Sequence, residues 1–255
     1  MNEKLKAFER LLKIMDELRE QCPWDKKQTI ESLRHLTIEE TYELCDAILQ
    51  KDMNQIKGEL GDLFLHLVFY SRIASETNDF DVADVLNGVC EKLIHRHPHV
   101  YGDVKVNSEE DVKRNWEQLK LKEGKKSVLE GVPSSLPALV KAIRIQDKAR
   151  GVGFDWDNKA QVWDKVQEEI SEFQVEEKKE DAEKMEQEFG DVLFSLVNYA
   201  RFVGINPEDA LEKTNRKFIS RFSYLEIEAN KQGKALSDMT LGEMEKIWNQ
   251  SKLNS

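Results

Sequence analysis

The chain has 255 residues and a formal net charge of −11, from 38 Lys+Arg against 49 Asp+Glu. With 40% hydrophobic and 34% charged residues it is too apolar for a disordered chain and too charged for a membrane protein, and no run approaches the roughly 18 apolar residues that span a bilayer. The acidic balance argues against a nucleic-acid polymer as partner, because that binding needs a basic surface.

Leu, Lys, Glu and Gln are abundant and no clean period-two alternation appears, so the expected fold class is all-α. Charge and apolar residues at helical spacing from Met1 to Glu20 read as a first helix and exclude a signal peptide there. Helices are predicted at about 3–21, 29–50, 53–76, 82–97, 109–123, 136–150, 159–178, 181–203, 207–230 and 240–252. Thr37-Ile38-Glu39-Glu40 fits a capping box and fits equally the interior of one helix running from Thr29. Pro98 has no N–H to donate and must end or kink the fourth helix, whereas Pro207 stands where a first helical turn accepts proline. The segment Gly131 to Pro137, preceded by the charged run Lys120 to Lys126, reads as a linker. It divides the chain into a domain over 1–127, a linker and connecting helix over 128–150, and a domain over 151–255. Three cysteines, Cys22, Cys45 and Cys90, form neither a disulfide framework nor zinc-ligand spacing, and the expected compartment is the reducing cytoplasm.

The two sides of the linker repeat one another. Glu40, Glu43, Glu59, Asp62, Tyr70 and Arg72 reappear 129 residues later as Glu169, Glu172, Glu188, Asp191, Tyr199 and Arg201. Lys92 and Arg96 match Lys217 and Arg221, and Trp116 and Lys120 match Trp248 and Lys252, with slightly different shifts. A tandem duplication with small indels between helices explains the pattern.

Within each copy, two carboxylates three residues apart on one helix face are followed by two more on the next helix. A short turn between antiparallel helices brings all four together. Like charges so packed are costly unless a cation neutralises them, and an all-oxygen set favours a hard ion, Mg²⁺ or Mn²⁺. Acidic residues on helices mostly face water. Glu169, however, falls within the apolar stripe of Val162, Val166, Ile170 and Phe173, with Glu172 beside it. In the following helix, Glu188 lies at the edge of the stripe of Met185, Phe189, Val192, Leu196 and Val203. Gly61 and Gly190 interrupt strong helices at a cost of about 1 kcal/mol each, which suggests close approach of a helix or ligand, or else a tolerated core glycine. Lys217 and Arg221 share one helix face, as do Trp248 and Lys252, and such cations suit a triphosphate. His95, His97 and His99 stand in one copy alone, where Pro98 makes a metal site improbable. Pro23-Trp24-Asp25 and Asp155-Trp156-Asp157 precede the acidic helices as entry or lid segments, with packing the default reading.

EETYE at 39–43 with ELGD at 59–62, and EEISE at 168–172 with EFGD at 188–191, resemble the MazG family of nucleoside triphosphate pyrophosphohydrolases. CPWDKKQT, KLIHRHPHVYGD, PSSLPALVKAIRIQDKARGVGFDW and WNQSK extend the resemblance over nearly the whole chain. The resemblance implies tandem four-helix modules completed by dimerisation, and a homodimer with no membrane partner. It implies hydrolysis of NTP or dNTP to the monophosphate and pyrophosphate with broad base range, for nucleotide-pool control. It makes Glu169, Glu172, Glu188 and Asp191 the Mg²⁺ ligands and catalytic residues, with Glu40, Glu43, Glu59 and Asp62 as the second set. Lys217, Arg221, Trp248 and Lys252 become nucleotide-binding residues, with Lys92, Arg96, Trp116 and Lys120 as theirs in the first copy, and the C-terminal copy is the expected catalytic one. Glu168 is a candidate to orient or deprotonate the attacking water. Competing readings are a hydrolase confined to one nucleotide, a non-catalytic helical module that binds nucleotide or protein, and a di-iron carboxylate bundle, which usually wants Glu-x-x-His pairs.

Overall fold

The structure is a computed structural model that describes residues 2–108, 111–112, 115–116, 119 and 127–252. Among these every regular element is a helix, and none is long and apolar enough to cross a membrane. The chain divides into two compact units, Met1–Lys105 and Val106–Ser255.

In the first unit, α1 spans Glu3–Gln21, α2 Ile30–Gln50, α3 Met53–Ser75, α4 Val82–Arg96 and α5 Pro98–Tyr101. The start of α2 resolves the Thr37 ambiguity. Thr29 is the N-cap: its Oγ1 accepts from Ser32 N at 3.1 Å while Ser32 Oγ accepts from Thr29 N at 2.9 Å. Thr37 therefore lies inside the helix, donating to the Leu33 carbonyl. Removing this reciprocal cap with Thr29→Ala is expected to cost about 1 kcal/mol, measured by urea unfolding. Lys51 takes a left-handed conformation (φ 58°) and Asp52 caps α3 by accepting from Asn54 N and Gln55 N, so α2 and α3 form an antiparallel hairpin. Met15, Leu33, Val68 and Phe69 make the core, with Leu36 and Leu65 packed against it. Pro98 breaks the fourth helix as its chemistry requires: α4 ends at Arg96 and α5 restarts with Pro98 in its first turn.

In the second unit, α6 spans Ala138–Gly151, α7 Lys159–Lys179, α8 Ala182–Phe202, α9 Pro207–Lys231 and α10 Leu241–Ser251. Asn158 caps α7, Glu180 is left-handed (φ 59°) and Asp181 caps α8, so the first unit's hairpin is rebuilt in the same way. Pro207 occupies the first turn of α9, capped by Asn206. Leu225, Ala229, Met239 and Ile247 join α9 to α10.

The predicted helix over 109–123 includes residues outside the described set, and the whole charged run Lys120 to Lys126 lies outside it. The apolar stripe predicted for α8 is corrected. Val192, Ser195 and Val197 are the buried residues, while Phe189 is 51% exposed and Leu196 is also exposed. The apolar arc of α8 is wider than its contacts with α6, α7 and α9 cover, so its remainder stays open among the described residues.

Candidate functional site

Glu169 follows the core stripe of α7. It comes one turn after Val166 and two after Val162, which are almost fully buried, and it is itself only 7% exposed. Glu172, one turn further, is exposed, and Glu188 enters from α8 half-buried. One carboxylate oxygen from each of Glu169, Glu172 and Glu188 lies within 4.8 Å of the others, and Glu40, Glu43 and Glu59 make the same arrangement in the first unit. Asp191 and Asp62 stand outside these groups of three, although Asp191 lines a cavity beside Glu169 and Asp62 acts electrostatically on Glu40.

The charge is felt by its members. Desolvation, then repulsion from Asp62, Glu43 and Glu59, pushes the Glu40 carboxyl above its ordinary range. Desolvation, then Glu169, does the same to Glu172, with Lys165 opposing. Three converging carboxylates, one in each group held above its ordinary range, with no His or Cys among them, fit a hard divalent cation. Among the described residues these are the groups able to gather on a metal; His95, His97 and His99 form none, and the His97 Nδ1 meets the Leu93 carbonyl at 2.6 Å.

One residue that pairs with the acids is missing from the sequence reading. Lys165 Nζ lies 2.6 Å from Glu169 Oε1 and 2.9 Å from Glu168 Oε1, and those hydrogen bonds raise its pKa. The signal was available: Lys165 precedes Glu169 by four residues on one helix face. The repeat comparison hid it, because the equivalent position in the first unit is Leu36.

Beside this group the second unit holds a half-open cavity of about 690 Å³, within the range of small-molecule sites, with Gln146, Phe154, Trp156, Lys165, Glu169 and Asn198 among its walls. Helix α6, expected only as a connector, supplies one wall through Gln146. The first unit differs at several equivalent positions, two of them polar walls of this cavity. Leu36 replaces Lys165 and Phe69 replaces Asn198, and Phe69 is 2% exposed in the core.

Lys217 is exposed, Arg221 is half-buried with its Nε unpaired, Trp248 packs on Phe218 at 5.1 Å, and Lys252 donates to Asn249 Oδ1. Among the described residues, Lys217, Arg221 and Lys252 make no ion pair with the four acids. In the first unit Lys92 is exposed, while Arg96 and Trp116 are half-buried. A Cβ built on Gly61 or Gly190 meets nothing within 4 Å, so no helix among the described residues presses on either and the close-approach reading needs a ligand or a partner.

Residues 28–101 and 158–225 match the MazG nucleotide pyrophosphohydrolase domain, more than half of the chain. The chain belongs to the MazG family. This membership makes it a hydrolase of phosphoanhydride bonds. The MazG chain is similar to a nucleoside triphosphate pyrophosphohydrolase of Escherichia coli strain K12, at 42% identity over 97% of this chain and 98% of that one. It is similar to the nucleoside triphosphate pyrophosphohydrolase/pyrophosphatase MazG of Thermotoga maritima, at 43% identity over 96% of this chain and 95% of that one. A crystal structure of a mazG-related protein from Thermotoga maritima aligns at 29% identity with a TM-score of 0.40, covering 44% of this chain and 98% of that one.

Proposed function

We propose that the C-terminal copy, 151–255 with α6 as an added wall, hydrolyses nucleoside triphosphates to the monophosphate and pyrophosphate. The observation that carries this reading is the three-carboxylate group at the edge of a cavity large enough for a nucleotide, with Lys165 between acids and cavity. Glu169, Glu172 and Glu188 hold Mg²⁺ (or Mn²⁺), and Asp191 stands at the cavity wall as the fourth ligand. When bound, the ion supplies charge neutralisation at phosphate oxygens and Lewis-acid activation of water. The protein's own groups do the rest. Lys165 moves from Glu168 and Glu169 to phosphate oxygens, which frees the Glu168 carboxylate to take a proton from the attacking water. Lys217 and Arg221 offset charge at the pyrophosphate end, and Trp248 and Lys252 complete the nucleotide contacts.

Because Lys217, Arg221 and Lys252 make no ion pair with the acids among the described residues of one chain, the reading includes a homodimer. The exposed Phe189, Leu193 and Leu196 of α8 form an apolar face of the kind such a contact covers. A reducing cytoplasm fits three free cysteines, and nucleotide-pool control fits a broad base range. The test is pyrophosphate release from a panel of ribo- and deoxynucleoside triphosphates, with sedimentation velocity for the dimer. Activity across several bases, lost with EDTA and restored by Mg²⁺, is expected. Activity on a single nucleotide overturns the broad range, and no release from any overturns the enzyme.

A pH dependence follows from the acids. Glu40 and Glu172 have folded pKa values raised above their unfolded ones, so their contribution to metal-free stability is fully present below the unfolded value and is lost as pH rises through the folded one. Bound Mg²⁺ relieves that repulsion. It should therefore raise Tm more at pH 7.5 than at pH 5, a comparison made by thermal shift.

A further inference from the structure

The segment between α6 and α7, 152–158, carries two aromatic side chains that line the cavity, Phe154 and Trp156. Phe154 is 83% exposed, and Trp156 is also exposed. A bare phenyl ring at the edge of a largely apolar cavity is unfavourable in water, and it is placed where a flat ligand would cover it. The segment is nonetheless fixed in place. Gly153 makes the left-handed turn (φ 88°), and the intervening Asp155 is gripped from α8. Arg201 Nη1 donates to Asp155 Oδ2 at 2.9 Å and Nη2 donates to Oδ1, a bidentate pair, with Arg150 Nε 3.6 Å away. Arg201 is in turn held by Asn198 Oδ1 at 2.8 and 3.1 Å and lies over the Phe202 ring. The first unit uses the equivalent Arg72 differently, on Asp16 of α1 and Glu76, so this grip is a feature of the cavity-bearing copy.

We propose that Asp155 and Arg201 form a positioning clasp that presents Phe154 and Trp156 as an aromatic strap at the cavity, and that this strap takes the nucleobase end of the substrate by stacking. The proposal rests on the pyrophosphohydrolase reading. Every base has a π-face, so stacking tolerates base identity, which agrees with a broad range. The phosphates then lie toward Lys165 and the carboxylates, across the cavity from a base whose grip changes affinity and not the chemical step.

Three variants test it: Phe154→Ala, Phe154→Tyr and Asp155→Asn. Phe154 is outside the core, so its truncation leaves the fold intact even where Asp155→Asn does not. Kinetics with a nucleoside triphosphate are compared with inhibition by inorganic tripolyphosphate, which has the phosphates and no base. Phe154→Ala and Asp155→Asn are expected to raise KM about tenfold, with kcat within about twofold, because one base-stacking contact is worth about that much. The inhibition constant of tripolyphosphate stays unchanged, and Phe154→Tyr retains the wild-type KM. An unchanged KM in Phe154→Ala overturns the strap. An equal rise in the tripolyphosphate constant also overturns it, since the loss is then a general distortion. Absence of pyrophosphate release by the wild type is a separate result and sinks the enzyme reading instead.

Discussion

Glu172→Ala is expected to lower pyrophosphate release by more than about a hundredfold, while Glu43→Ala leaves most of it. Residues that merely support a metal ligand typically account for 10- to 100-fold in affinity or activity, and Glu172 would be a ligand itself. The variant is clean because Glu172 is exposed and makes no core contact whose loss would unfold α7. Its partner Glu43 has the same place in a group of the same geometry, so the acids alone predict equal losses. The surroundings break the tie. Around Glu169 there is a cavity with a lysine and an asparagine in its walls, whereas the first unit has Leu36 and the packed Phe69 at those positions. Leu36 offers a phosphate neither the charge nor the hydrogen bonds that Lys165 offers, and Phe69 is taken up by the core. Side-by-side assays of the two variants, with circular dichroism to confirm folding, decide it: equal loss in both would falsify the assignment of chemistry to the second copy.

Much of this arrangement was legible before any coordinates. The predicted helix bounds and the spacing of the acids define two hairpins, and each hairpin brings a pair of glutamates to a third. The burial of Glu169 was readable because it shares a face with Val162 and Val166, and helical periodicity carries that information along one element. What periodicity lacks is the extent of cover. Phe189 and Leu196 satisfy the stripe of α8 and remain exposed, because nothing local says how much of an apolar arc the neighbouring helices reach. Nor does spacing reveal which acids fall within ligand distance; Asp62 and Asp191 match the pattern and stand outside the groups of three. Searching for what the two copies share finds what a common ancestor needed. It passes over Lys165 and Asn198, where one copy differs from the other.

Lys165→Leu, which gives the second copy the side chain of the first, is expected to reduce kcat/KM on the order of a hundredfold. In the structure its ammonium is the cation that keeps Glu169 tolerable, at 2.6 Å from an acid that is nearly buried. Removing it leaves Glu169 facing Glu172 and Glu188 without that compensation, so the metal-free variant should also melt lower than wild type, and Mg²⁺ should recover most of the difference. That recovery separates two roles. If Lys165 only balanced charge in the empty site, saturating Mg²⁺ would restore activity along with Tm. If it also meets the substrate's phosphates, stability returns and activity does not, and this second pattern is the expected one. Lys165→Arg should fall between, since a planar guanidinium keeps the charge and changes the geometry of the contact. Full activity in Lys165→Leu at saturating Mg²⁺ would remove lysine from the reaction and leave the carboxylates and the cavity as the site's only determinants.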